Sequence, residues 1–132
     1  MLSTIVVKRL LRDEALIEIE GVAARGGGRE AGRVVSVAAE GDPSAGGVVA
    51  QCREVYGRIG KLLTAAGVGL DAVVKTTELV VPEGLGEYRK TADVRREVFV
   101  PPYPAATGVI CERLMRRGAL LSVEATAVIE GA

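Results

Sequence analysis

The segment LLSVEATAVI, residues 120–129, decides the reading of the fold. Taken alternately, Leu121, Val123, Ala125, Ala127 and Ile129 form one wholly apolar side, and Leu120, Ser122, Glu124, Thr126 and Val128 a mixed one. Successive side chains of a strand point to opposite faces, so this period of two reads as a strand with its apolar side in the core. Upstream, residues 107–114 read as another strand, joined to the last by a polar turn at 115–118. A helix is expected over 85–99, ended by Pro101-Pro102, and a strand rich in Val and Thr over 71–81, stopped by Pro82.

Further upstream lies the clearest helix. Val48, Val49, Cys52, Val55, Ile59, Leu62, Leu63 and Ala66 recur at three- and four-residue spacing, and Gln51, Arg53, Glu54, Arg58 and Lys61 take the other face. Asp42 or Ser44 is placed to cap it, and Gly67 sits where a left-handed C-cap is expected. Residues 33–39 (RVVSVAA) and 16–20 (LIEIE) read as strands, with a turn or loop at the triple glycine between Arg25 and Arg29. The order is strands, helix, strand, helix, strands, with no linker and no repeat. It predicts a single α+β domain over residues 1–132, a β-sheet with two helices on one face. Nothing in the chain covers the mixed face, which points to an oligomer interface.

Composition removes several function classes. The 132 residues carry 17 Lys plus Arg and 17 Asp plus Glu, so no net charge draws the chain to nucleic acid or an anionic membrane. Trp is absent and Phe99 is the only Phe, which leaves no stock of base-stacking aromatics. The sequence contains no His, excluding Ser-His and Cys-His catalysis and His-ligated metals within one chain. Cys52 and Cys111 fit no metal or redox spacing, and both are expected in the core. Neither the triple glycine nor the Gly57–Gly60 region has the context of a phosphate or dinucleotide site, so no metal or cofactor is expected. There is no apolar run of membrane-spanning length and no signal-peptide pattern, which predicts a cytoplasmic protein.

Several motifs then occur together in order. Gln51 stands early in the first helix; Leu63-Thr64-Ala65-Ala66-Gly67 ends it; Asp71-Ala72-Val73-Val74-Lys75-Thr76-Thr77 follows. Later come Tyr103-Pro104-Ala105 and Val123-Glu124-Ala125. Across residues 49–128 this set resembles the RidA/YjgF family, with its A-A-G turn, D-x-V-K-T-T strand, P-A-R-[ST] motif and closing I-E-[AI] strand. The resemblance implies a chorismate-mutase-like fold, a homotrimer with a central β-barrel, and ligand clefts between subunits. It also implies a small-molecule ligand. Family deaminases hydrolyse enamines and imines of amino acids, their motif arginine holding the substrate carboxylate through paired hydrogen bonds.

This sequence departs from that pattern. Ala106 stands where the arginine would be, Gly108 replaces the cleft cysteine, and the helix asparagine falls near Ala92. The family's S-G-[QT] loop reads Ala38-Ala39-Glu40. Of the usual pocket residues only Glu124 is kept. Glu124 has two readings: proton transfer or water activation, or an ion pair across the trimer, for instance with Lys75. Glu40 either shares the acid–base role or is a solvated loop residue. Ala106, Thr107 and Gly108 are candidate ligand contacts, in an enlarged and less polar pocket or in a disused one. Arg25 is a candidate anion partner, or part of a solvated hairpin. The expected function is a divergent enzyme on an enamine, imine or carbonyl-type intermediate, as a hydrolase or a lyase/cyclase. The alternatives are a non-catalytic metabolite-binding module, or a biosynthetic cyclase, lyase or hydrolase on a larger substrate.

Overall fold

The computed structural model describes residues 5–6 and 33–129. The strand expected at 16–20, Arg25 and Arg29 lie outside the described residues. In chain order the elements are β1 (Ile5–Val6), β2 (Arg33–Glu40), α1 (Val48–Ala65), β3 (Val73–Val80), α2 (Thr91–Val98), β4 (Ala105–Ile110), β5 (Arg113–Leu114) and β6 (Leu121–Ile129). The main sheet runs β2-β6-β3-β4, with β6 antiparallel to both neighbours and β3 parallel to β4. The short strands β1 and β5 pair with each other. The fold is therefore α+β with a mixed sheet, as the sequence predicts.

The apolar side of β6 is the centre of the core. Leu121, Val123, Ala125 and Ala127 are buried against Cys52, Val55, Tyr56, Ile59 and Leu63 of α1 and Val94 of α2. Truncating one such aliphatic, Ile59→Ala for instance, costs about 2–5 kcal/mol in typical cores. A second, smaller cluster (Leu79, Val81, Cys111, Leu114, Ala119) contains the other free cysteine. Gly67 ends α1 at φ 78°, the left-handed position expected of it.

Four expectations need correction. Asp42 caps a single turn at Pro43–Ala45 through its bond from the Ser44 N–H, and α1 begins beyond it without a side-chain cap. The stretch 85–99 is α-helical only over Thr91–Val98, because Pro82, Gly84 and Gly86 favour short turns ahead of it. Residues 107–114 do not form one strand: β4 ends at Ile110 and β5 turns away to pair with β1. Gln51 is buried rather than solvated. Its amide nitrogen donates to the Gly46 and Gly118 carbonyls at 2.9 and 3.3 Å, and its oxygen accepts from the Leu120 N–H at 2.8 Å. One side chain thus ties the start of α1 to the approach to β6.

A bulge in β3 sets which residues face which way. Val73 pairs with Ala127, yet Lys75 pairs with Thr126, so two steps on β3 match one on β6 and Val74 is pushed outward, 49% exposed. Beyond the bulge, Thr76, Glu78 and Val80 join Val73 on the helix-covered face. Lys75, Thr77 and Leu79 fall on the other.

Candidate functional site

Glu124 projects from the face of β6 opposite the helices, where the two-residue period puts it. Its direct neighbours are Ala38 on β2 and Thr77 on β3, and Thr126 and Ser122 flank it along the strand. It is half-buried, and no ion pair joins it to Lys75 or to any other cation among the described residues. The register places Lys75 opposite Thr126, diagonal to Glu124 on the same face. Glu40 lies opposite Ser122 and is the other diagonal neighbour, at a Cα separation of about 7–8 Å for such pairs.

Glu40 ends strand β2 rather than sitting in a loop, and Ala38 and Ala39 also belong to that strand. Its carboxylate accepts the Arg116 N–H at 2.6 Å, and its carbonyl accepts from Arg58. Ala38, Ala39 and Glu40 line a groove with Arg58, Lys61 and Leu62 of α1. Glu40 therefore holds the turn before β6 as well as bordering this groove.

Ala106, Thr107 and Gly108 are exposed on β4, in register with Thr76, Thr77 and Glu78. Only Thr107 shares the face of Glu124. Ala106 and Gly108 lie on the helix side, so the sheet itself separates them from Glu124 within one chain. A Cβ on Gly108 would lie 2.8 Å from the Tyr88 hydroxyl, which leaves no room for the cysteine of the resembled pattern unless Tyr88 moves.

Glu78, to which the sequence pattern gives no role, is the centre of the most extensive polar cluster among the described residues. Its side chain is 2% exposed. Oε1 accepts the Tyr56 hydroxyl at 2.6 Å; Oε2 accepts the Tyr88 hydroxyl at 2.6 Å and Arg95 Nη1 at 2.7 Å. Arg95 Nη1 also donates to Thr91 Oγ1 at 3.0 Å, and the guanidinium carbon stands 6.0 Å from the Tyr88 ring centroid. Burial and the Glu78 charge raise the pKa of both tyrosines, so both stay neutral donors. Burial alone would lower that of Arg95, but the Glu78 charge and hydrogen bond outweigh it and raise it. The bulge supplied the missing signal: it turns Glu78 inward, where a carboxylate must find partners. Thr76, also inward, keeps a buried hydroxyl with no hydrogen bond among the described residues. No group of three or more Cys, Asp or Glu side chains among those residues is arranged to hold a metal ion.

The family model described as Endoribonuclease L-PSP matches residues 30–129. This chain belongs to the RidA/YjgF family. Solved structures agree with the assignment. Rv2704 of Mycobacterium tuberculosis, described as a member of the highly conserved YjgF/YER057c/UK114 family, is 29% identical. The match covers 73% of this chain and 79% of that one, with a TM-score of 0.64. A putative endoribonuclease L-PSP from Entamoeba histolytica is 27% identical over 64% of this chain and 65% of its own, with a TM-score of 0.57. The Rid-family protein YyfB of Yersinia pestis shares the fold at 21% identity, 74% and 79% coverage and a TM-score of 0.64. No curated protein matches the chain. As a RidA/YjgF member it keeps the closing-strand glutamate and lacks the motif arginine. No described helix is long and apolar enough to cross a membrane.

Proposed function

We propose that this chain is a RidA-like enzyme of small-molecule metabolism that acts as a cytoplasmic homotrimer. Its sheets would close into a central barrel, with ligand clefts between subunits. The observation that carries the reading is Glu124: a half-buried carboxylate on the sheet face away from the helices, with Thr77 beside it and no cation paired to it among the described residues. Such a group is free to accept a proton from a bound water. Because the sheet separates Glu124 from Ala106 and Gly108, a cleft using both draws on two subunits or wraps the β4 edge.

The substrate class is an enamine, imine or carbonyl-type intermediate. For an imine, water adds its oxygen to the C=N carbon as Glu124 takes one water proton and passes it to the nitrogen, leaving a neutral carbinolamine. In the collapse Glu124 takes the proton of the adduct hydroxyl and hands it to the nitrogen; the C–N bond breaks, the C=O bond forms, and ammonia and the carbonyl compound are released. Glu40 is the second carboxylate on this face. Thr107, Ala106 and Gly108 are the proposed ligand contacts on β4, and Arg25 a further one from outside the described residues. An RNA-cleaving role, named in the description of the family model, finds no support in a chain of zero net charge without His.

The test uses imines generated in situ by oxidation of amines and amino acids, with semicarbazide trapping to follow their disappearance above the spontaneous rate. Glu124→Gln is expected to abolish the catalysed component while sedimentation still shows a trimer. Unchanged turnover in that variant would sink the mechanism. The loss of the motif arginine at Ala106 favours a second reading, a metabolite-binding module without chemistry. That reading predicts thermal stabilisation by a ligand that is not consumed.

A further inference from the structure

Glu78, Tyr88 and Arg95 take no part in the mechanism above, yet Tyr88 and Arg95 carry the buried Glu78 cluster to the surface beside β4. Arg95 is 25% exposed along its side chain. Its Nη1 is engaged by Glu78 and Thr91, while Nε and Nη2 make no hydrogen bond to a described residue. The Tyr88 hydroxyl rests against β4 at Gly108, and Ala106 is the next residue on that face. Both β4 residues are exposed and neither has a side chain larger than a methyl group. The guanidinium and the Tyr88 hydroxyl thus meet at Glu78 Oε2, close to the small, exposed residues of β4.

Its electrostatics are unusual for an arginine site. Arg95 contributes one positive charge and Glu78, at 2.7 Å, one negative charge, so the pair is neutral before any ligand arrives. A ligand carboxylate would bring the cluster to a net charge of minus one next to a buried carboxylate, where water screens poorly. An uncharged acceptor incurs no such repulsion and still receives hydrogen bonds from the spare guanidinium nitrogens.

Resting on the reading of this chain as a small-molecule protein, we infer that Arg95, neutralised by Glu78, is a specificity-determining ligand contact at the β4 edge. It selects uncharged carbonyl or imine ligands and disfavours carboxylates. Ala106 and Gly108 belong to the same device: their small size leaves the guanidinium edge and the Tyr88 hydroxyl uncovered. Glu78 acts through Arg95 and is a positioning residue.

Ligand-observed NMR with a matched pair of probes, 2-oxobutanamide and 2-oxobutanoate, tests this on the full chain. The native protein is expected to bind the amide at least about tenfold more tightly than the keto acid, and Glu78→Gln to reverse the preference by unmasking the guanidinium charge. A merely structural role for Glu78 would weaken both probes alike. Native preference for 2-oxobutanoate, binding of neither probe up to about 50 mM, or unchanged selectivity in folded Glu78→Gln would each overturn the inference. If Glu78→Gln does not fold, Arg95→Lys decides. It keeps the charge that partners Glu78 but removes the planar donor edge, so amide binding should fall, and its retention overturns the inference. Glu124→Gln should leave probe selectivity intact. Loss of selectivity without loss of turnover, or the reverse, thus tells failure of this inference from failure of the proposed mechanism.

Discussion

Two glutamates stand on neighbouring strands of one sheet, on opposite faces, and the protein treats them in opposite ways. Glu78 on β3 points toward the helices and is surrounded by Tyr56, Tyr88 and Arg95. Glu124 on β6 points away from them, opposite Thr77 and Ala38, with no cation paired to it among the described residues. The first carboxylate has its hydrogen-bonding capacity taken up by the fold. The second keeps its capacity for a ligand, a water or a neighbouring subunit. Chemistry is expected from the group whose partners the fold does not supply, and structural cost from removing the one whose partners it does.

Removing Glu78 should have the largest effect. Glu78→Ala leaves Arg95 without its anion and the phenols of buried Tyr56 and half-buried Tyr88 without an acceptor, and is expected to cost about 3–5 kcal/mol in a chemical denaturation series. A loss under about 1 kcal/mol would show the cluster to be dispensable to the fold.

Alkaline titration probes the same side of the sheet. Burial, then the charge of Glu78, raises Tyr56 and Tyr88 above their ordinary value of 10 and pushes Cys52 from 9 up to about 12. Each is an acid that keeps its proton longer in the folded chain than in the unfolded one. Their stabilisation is complete below pH 9 and is lost as pH rises through the folded values, so Tm should fall progressively from about pH 9 to 12. Tyr88→Phe should make that fall shallower.

The smallest effect on stability is expected on the open face. Glu124→Gln should leave the unfolding free energy within about 0.5 kcal/mol of the parent, even as it removes catalysis. A large loss of stability or of the trimer would instead make Glu124 a structural group and erase the contrast with Glu78.

Much of this architecture is legible in local pattern. The alternation in β6 finds the buried side from Leu121 to Ala127, because pleating alone sets that period, but Ser122 on the mixed side is buried too, beside Leu79 and the second cluster. The spacing along α1 finds most of its core face, but it counts Leu62, which is 39% exposed and lines the groove at Glu40, and misses Gln51 and Tyr56. Both are polar-tipped side chains whose burial depends on carbonyls and a carboxylate far away in sequence. Of the candidate site, Glu124 is legible because its strand has an unbroken period. That Ala106 and Gly108 lie on the other face of the sheet is not, since it follows from the register between β3 and β4.

The sequence by itself determined the order of elements, the amphipathic faces of β6 and α1, membership of the RidA/YjgF family and the absence of its motif arginine. Those features reside in residue identity and short-range period. Tertiary structure alone decided where Glu78 goes. The bulge at Val74 shifts the period of β3 by one residue, turns a carboxylate into the core, and recruits Tyr56, Tyr88 and Arg95 from two other parts of the chain. A one-residue slip moves every side chain beyond it to the opposite face, and no local pattern announces it, because the pairing that creates it is made with β6.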